Sequence, residues 1–201
     1  MIYIRKKESA EENSVKLVAY TIILYISSFF VPFVIVASFQ SVVYYSRSQW
    51  FFATPFSAYI TFMAGMFYIA IVFTFFLIFR QKWEGGKFKS IISLLLLISI
   101  PVFYLSLTNY YYVDDKGVHY NSLISISEEE YKWENVNTVH IIYRNHQGIV
   151  SNFQYKFQMM DGETITLPYD DKFSENIRRI EEKIQQYHIV VKDNFKNPIV
   201  D

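Results

Sequence analysis

Asn109-Tyr110-Tyr111-Tyr112-Val113-Asp114-Asp115-Lys116-Gly117-Val118-His119-Tyr120 is where this chain changes character. On its N-terminal side apolar residues run on without a charge. After Val113 they alternate with polar ones, the pattern of strands with one buried face. Tyr110 to Val113 and Val118 to Ser122 flank Asp114-Asp115-Lys116-Gly117, a turn in which Gly117 is expected to supply positive φ for a hairpin. The first strand therefore leaves the preceding apolar segment with almost no linker.

Toward the N-terminus, three stretches lack Asp, Glu, Lys, Arg and His: residues 17–46, 48–79 and 90–113, of 30, 32 and 24 residues. About 20 apolar residues suffice to cross a hydrocarbon core ~30 Å thick as a helix. The sequence predicts a tail over 1–16 and a membrane domain over 17–108 with three transmembrane helices. A cleavable signal peptide is disfavoured for the first stretch, because its apolar run far exceeds the usual 7–15 residues of such peptides. Four basic residues precede the first span (Arg5, Lys6, Lys7, Lys16), one follows it (Arg47), four lie in the next connection (Arg80, Lys82, Lys87, Lys89), and Lys116 follows the third span. Translocating Lys or Arg is disfavoured. The expected order is in, out, in, out, with the N-terminus and the Trp83-Glu84-Gly85-Gly86 turn cytoplasmic and the C-terminal region extracytoplasmic. Trp50 and Trp83, with Tyr44, Tyr45 and Tyr110 to Tyr112, read as interfacial anchors. Pro32 and Pro101 should bend their helices. Ser57, Thr61 and Gly65 form a small-residue face suited to close packing within the bundle. Spans without ionisable side chains argue against a channel or transporter.

Toward the C-terminus, Glu130 to Trp133 and Val139 to Tyr143 read as strands, followed by a loop from Arg144 to Gly148. Phe153 to Met159 alternates cleanly, and Asp161-Gly162 turns it into Thr164 to Leu167. From Ser174 to His188 the period becomes helical, with Phe173, Ile177, Ile180, Ile184 and Tyr187 on one stripe and Asp171 or Ser174 as cap. Trp133 is expected in the core. These elements define a small β-rich, barrel-like domain closed by one amphipathic helix, with a tail over 191–201.

The run Tyr112 to Val118, then Trp133-Glu134-Asn135-Val136-Asn137-Thr138-Val139, then a paired hairpin and a final amphipathic helix, resembles the bacterial pleckstrin-homology-like domain. The resemblance covers roughly residues 109–190 and rests on pattern. It implies a small bacterial multi-pass membrane protein whose C-terminal domain is a bent antiparallel barrel plugged by a helix, without enzymatic activity and with a role in protein association. The three consecutive acids Glu128 to Glu130 depart from the pattern and leave strand pairing around 123–130 open.

Little points to chemistry. With no cysteine, the chain has no disulfide, thiolate zinc site or cysteine nucleophile. His119, His140, His146 and His188 match no ligand spacing, and alternation puts His119 and His140 on exposed faces. Asp114-Asp115 and Asp170-Asp171 fit turn and cap positions, and Glu128 to Glu130 a solvated loop. Serine-hydrolase, phosphate-loop and zinc-protease motifs do not occur. Residues 1–113 carry 9 basic and 4 acidic side chains and residues 114–201 carry 10 and 15, which leaves no acid-free basic stripe for nucleic acid. The expectation is a non-enzymatic, membrane-anchored interaction module with no catalytic, cofactor or metal site. Its partners would be the lipid bilayer and either a membrane protein or further copies of itself. Ile149, Val150 and Arg144 are the candidate contacts, with the edge near Leu123 to Ile126. The alternatives are an accessory subunit or enzyme of a membrane or envelope complex, and an immunity protein against a membrane-active peptide.

Overall fold

The computed structural model describes residues 2–80, 86–125 and 127–200, with residues 2–13 by their backbone only. The Trp83-Glu84-Gly85 turn and Ile126 lie outside the described residues. The chain divides into two compact units. One, mostly helical, comprises Met1–Tyr45, Thr54–Tyr110 and Asn121–Ile126; the other, mostly β, comprises Ser46–Ala53, Tyr111–Tyr120 and Ser127–Asp201.

The helical unit contains α1 (Ile2–Ser27), α2 (Val31–Val43), α3 (Phe56–Phe79), α4 (Gly86–Leu97) and α5 (Ser99–Thr108). Residues 2–16, expected as a tail, are helical and continue into α1. Two helices are long and apolar enough to cross a membrane: α3, and α4 with α5 taken together as Gly86–Thr108. The 24 residues of α3 reach ~36 Å, longer than the hydrocarbon core. The first apolar stretch is a broken pair: Ser14–Ser27 and Val31–Val43 meet at 68°, and they add a third crossing only if the pair counts as one span. The break has a local cause. Pro32, in the first turn of α2, has no N–H to donate back into α1, and the Ser28 hydroxyl donates to the Tyr25 carbonyl at 2.6 Å. Likewise Ile98, three residues before Pro101, separates α4 from α5. Gly65 of α3 faces Phe103 of α5 so closely that a Cβ would lie 2.7 Å from the ring, so the small-residue face serves packing within this unit.

Gln40 is wholly buried in the helical unit. Its amide nitrogen donates to the carbonyls of Ser106, Leu107 and Asn109 at 3.2, 3.2 and 2.9 Å, and its oxygen accepts from the Thr54 hydroxyl at 2.7 Å. One side chain thus satisfies two carbonyls of the last turn of α5 and that of Asn109 just beyond it. Asn109, with its amide turned to suit its neighbours, accepts from Ser57 and from the Ala58 N–H and donates to the Asn121 carbonyl at 3.0 Å. The amides of Gln40 and Asn109 thus find partners, as burial requires, whereas the side-chain oxygen of Asn121 is buried without one among the described residues.

The β unit has two sheets. The first runs in the order β1 (Phe51–Ala53), β2 (Tyr110–Val113), β3 (Gly117–Asn121), β4 (Glu129–Lys132). The second runs β7 (Thr164–Pro168), β6 (Ile149–Met159), β5 (Val136–His146), β8 (Val190–Asp193), with β9 (Ile199–Val200) also pairing with β5. β1 was not expected, since its residues fall inside the uncharged stretch 48–79. It pairs antiparallel with β2, Phe51 opposite Val113 and Ala53 opposite Tyr111. Trp50 stacks on Trp133 with centroids 6.0 Å apart, which replaces its reading as a membrane anchor. The supposed tail 191–201 carries most of β8 and all of β9, both parallel to β5.

Trp133, Phe157, Leu167, Phe173 and Ile180 are almost fully buried and form one core with Phe51 and Ala53. α6 (Asp171–Gln186) contributes Phe173, Ile180 and Ile184 to it. Its cap is Asp170, whose carboxylate accepts the Phe173 N–H at 2.9 Å, one residue earlier than expected. Tyr187, expected on the buried stripe, is the residue that ends the helix and is exposed, and His188 after it turns left-handed at φ 53°. The Ile189 N–H then returns to the Ile184 carbonyl at 2.9 Å, closing a Schellman end with both isoleucines buried. Gly117 does not take positive φ. A side chain there would collide with the Tyr131 carbonyl, so the glycine is required by close approach of β4.

Candidate functional site

The predicted contact residues lie at the tip of the β5–β6 hairpin. Arg144, expected in a loop, is paired in β5 with Ser151 on one side and Ile199 of β9 on the other. The turn is only Gln147 and Gly148, at φ 52° and 85°. Two positive φ values in a two-residue loop match the right-handed twist of the arms. The Asn145 side chain accepts the Gly148 N–H at 2.9 Å and locks the turn.

Ile149 and Val150 are consecutive in a strand and so point to opposite faces. The register sets Ile149 on the face of Arg144 and Ile199, and Val150 on the face of Asn145 and Val200. Each face of the tip therefore carries one apolar residue from β6 and one from β9. Ile149 is 72% exposed, Val150 38% and Val200 75%. The Arg144 guanidinium lies 4.1 Å from the centre of the Phe153 ring, a cation–π contact that fixes its direction. Asn194, between β8 and β9, ties their connection to β5, accepting from the Tyr143 N–H at 2.6 Å and donating to its carbonyl at 3.2 Å. Ile199 and Val200 gave no sequence signal, since two apolar residues after a proline do not announce a strand. At the other expected contact, Leu123 to Ser125 is irregular rather than an edge strand, with Ile124 94% exposed.

His119, expected to be exposed, is 5% exposed. Its ring nitrogens lie 3.2 Å from Asp114 Oδ1 and 3.1 Å from Glu128 Oε1, and the Tyr112 ring stacks on it at 4.3 Å. Asp114 also accepts from the N–H groups of Lys116 and Gly117, and Glu128 from the Tyr112 hydroxyl at 2.8 Å. Glu128 is thus part of a clasp between the β2–β3 turn and the segment before β4. Among the described residues no group of three or more His, Asp or Glu is placed to hold a metal ion. Burial first, then Tyr143, Glu181 and Tyr169, pushes the Tyr155 phenol up to about 12. Tyr111 and Tyr131 are raised as well, chiefly by burial. These phenols stay neutral at physiological pH and act as packing groups rather than as bases.

No family model matches the chain, and no curated protein is similar to it. A solved structure described as "Structure of the Spt16D Pob3N heterodimer" is similar at 10% identity over 42% of this chain and 44% of that one, with a TM-score of 0.28. The match spans less than half of that chain, and at this level it carries no argument about fold or function.

Proposed function

We propose that the chain is a multi-pass membrane protein presenting a pleckstrin-homology-like domain at the outer membrane surface as a non-enzymatic interaction module. The domain associates with another membrane protein or with further copies of the chain. The carrying observation is the hairpin tip: a locked turn whose two faces expose Ile149 with Ile199 and Val150 with Val200. Apolar side chains held outward on a rigid element suit a partner surface better than a deep pocket would. The pleckstrin-homology-like reading is supported by the order of elements, with β2 to β4, then β5 to β7, then a capped amphipathic helix. A common side for the first connection and the C-terminal domain is supported by β1 and β2 sharing a sheet, since residues 51–53 and 110–113 must then lie on one side of any bilayer, and the outward assignment is supported by the distribution of basic residues.

Photo-cross-linking in native membranes tests the reading. A probe replacing Ser151 should yield a discrete adduct, to a second protein or to a second copy. Replacing Ile149 and Val150 with Ser should reduce that adduct several-fold without lowering expression. An unchanged adduct in a folded variant removes the tip as the contact.

A further inference from the structure

A cavity of about 230 Å³ lies between α6 and the second sheet of the β unit. Ile141 of β5, Tyr155 of β6 and Val191 of β8 line it from the sheet, and Glu181, Ile184 and Gln185 line it from α6. Tyr155 and Ile184 are buried at its floor, while Glu181 and Gln185 stand exposed at its mouth. Three polar groups here lack partners. Among the described residues the Tyr155 hydroxyl makes no hydrogen bond although the residue is only 4% exposed, and the side chains of Glu181 and Gln185 have neither an ion pair nor a hydrogen bond. Buried polar groups are ordinarily bonded, so a hydroxyl left open on a cavity marks where a ligand atom can sit. Glu181 acts on that hydroxyl. Burial first, then Tyr143 and Glu181, push the phenol up to about 12, so it stays neutral and its oxygen is free to accept. The lining therefore holds one negative charge and no cation.

We propose that this cavity binds a primary ammonium group carried on a short aliphatic stem. An ammonium has three donors and no acceptor, and the Glu181 carboxylate, the Gln185 amide and the Tyr155 hydroxyl each offer it an oxygen. Ile141, Ile184 and Val191 supply the apolar wall for the stem. A guanidinium suits the lining less well, because it holds its donors in one plane while these acceptors come from a helix and a strand packed against it. Size points the same way: the cavity is smaller than the ~300–1,000 Å³ of ordinary small-molecule pockets, and so has room for a chain of a few atoms. A free alkylamine and a lysine side chain of another protein share this chemistry. The site does not depend on what the hairpin tip binds.

The test uses the full chain in neutral detergent with its isoleucine methyl groups labelled for NMR, because Ile141 and Ile184 line the cavity. It is titrated at neutral pH with n-pentylamine, with n-pentanol, which has the same stem without the charge, and with Nα-acetyl-lysine N-methylamide, which sets the ammonium on a main chain. Pentylammonium is expected to shift the Ile141 and Ile184 methyls saturably and to bind about ten-fold more tightly than pentanol, with a loss of about ten-fold in Glu181→Gln, as removal of a charge-assisted bond requires. Tyr155→Phe, which keeps the buried ring, should lose about three-fold. Glu181 is exposed and unpaired, so its substitution leaves the fold intact. If the lysine derivative binds as tightly as pentylammonium, with the same dependence on Glu181, the source is a protein lysine; if pentylammonium alone binds, the source is a free amine. The proposal is overturned if pentanol binds the wild type as well as pentylammonium does, or if neither ammonium compound gives a saturable shift. It is equally overturned if the Glu181→Gln chain binds pentylammonium as the wild type does.

Discussion

His188 holds φ 53° just past Tyr187, the residue that caps α6, a conformation that disfavours any residue with a Cβ. Glycine meets the same geometry without that cost, and the Schellman bond from Ile189 to Ile184 needs only backbone. His188→Gly should therefore raise stability by ~0.5–1 kcal/mol, seen as a higher Tm of the purified chain. A lower Tm would mean that the imidazole makes a contribution the geometry does not reveal. Some residues were readable in advance: Trp133 as core and Ile180 as the centre of the helical stripe follow from periodicity alone. Gln40 was not. In the sequence it is one polar residue in an uncharged run, and its role depends on carbonyls at Ser106, Leu107 and Asn109, far along the chain. His119 was misread for a similar reason. Alternation assigned it to the outer face, but Tyr112, Asp114 and Glu128 cover that face.

Among the elements, β5, β6, β7 and α6 were legible because their period is long and clean. At the candidate hairpin tip, Ile149 and Val150 are legible as apolar residues after a polar turn, whereas their neighbours Ile199 and Val200 belong to a strand too short to have a period. β1 was hidden by its setting. Phe51-Phe52-Ala53 sits in an uncharged stretch where hydrophobicity does not separate strand from helix, and Pro55 alone hints that the helix starts later. Yet β1 edges the first sheet, and Lys172 of α6 donates to the Phe52 carbonyl at 2.8 Å. Phe51 also packs on Phe173 with centroids 5.9 Å apart. Phe51→Ala should cost ~3–5 kcal/mol. A fragment of residues 109–201 should lack a cooperative unfolding transition that returns when residues 46–54 are fused to it. Cooperative melting of the shorter fragment would show that β1 is dispensable.

At the scale of the whole molecule, the chain has two or three helices able to cross a membrane and a β unit assembled from three separate segments. With no native cysteine, single substitutions report sidedness cleanly. Ser48→Cys and Ser151→Cys should react with an impermeant maleimide on intact cells, and Gly86→Cys should be protected, as the distribution of basic residues implies. Opposite behaviour of Ser48→Cys and Ser151→Cys would contradict the shared sheet of β1 and β2 itself. Labelling of Gly86→Cys with protection of both others would instead invert the orientation.

The pairing of Phe52 with Tyr112 also sets a schedule for biogenesis. The ribosome delivers β1 about sixty residues ahead of its partner, and at roughly 5–20 residues per second the strand waits ~3–12 s for β2 to be made. During that interval an unpaired Phe51-Phe52 edge is a ready template for wrong pairing. On whichever side of a bilayer β1 emerges, the nascent chain at this stage is exposed to wrong pairing, and slowing its synthesis should increase aggregation rather than relieve it.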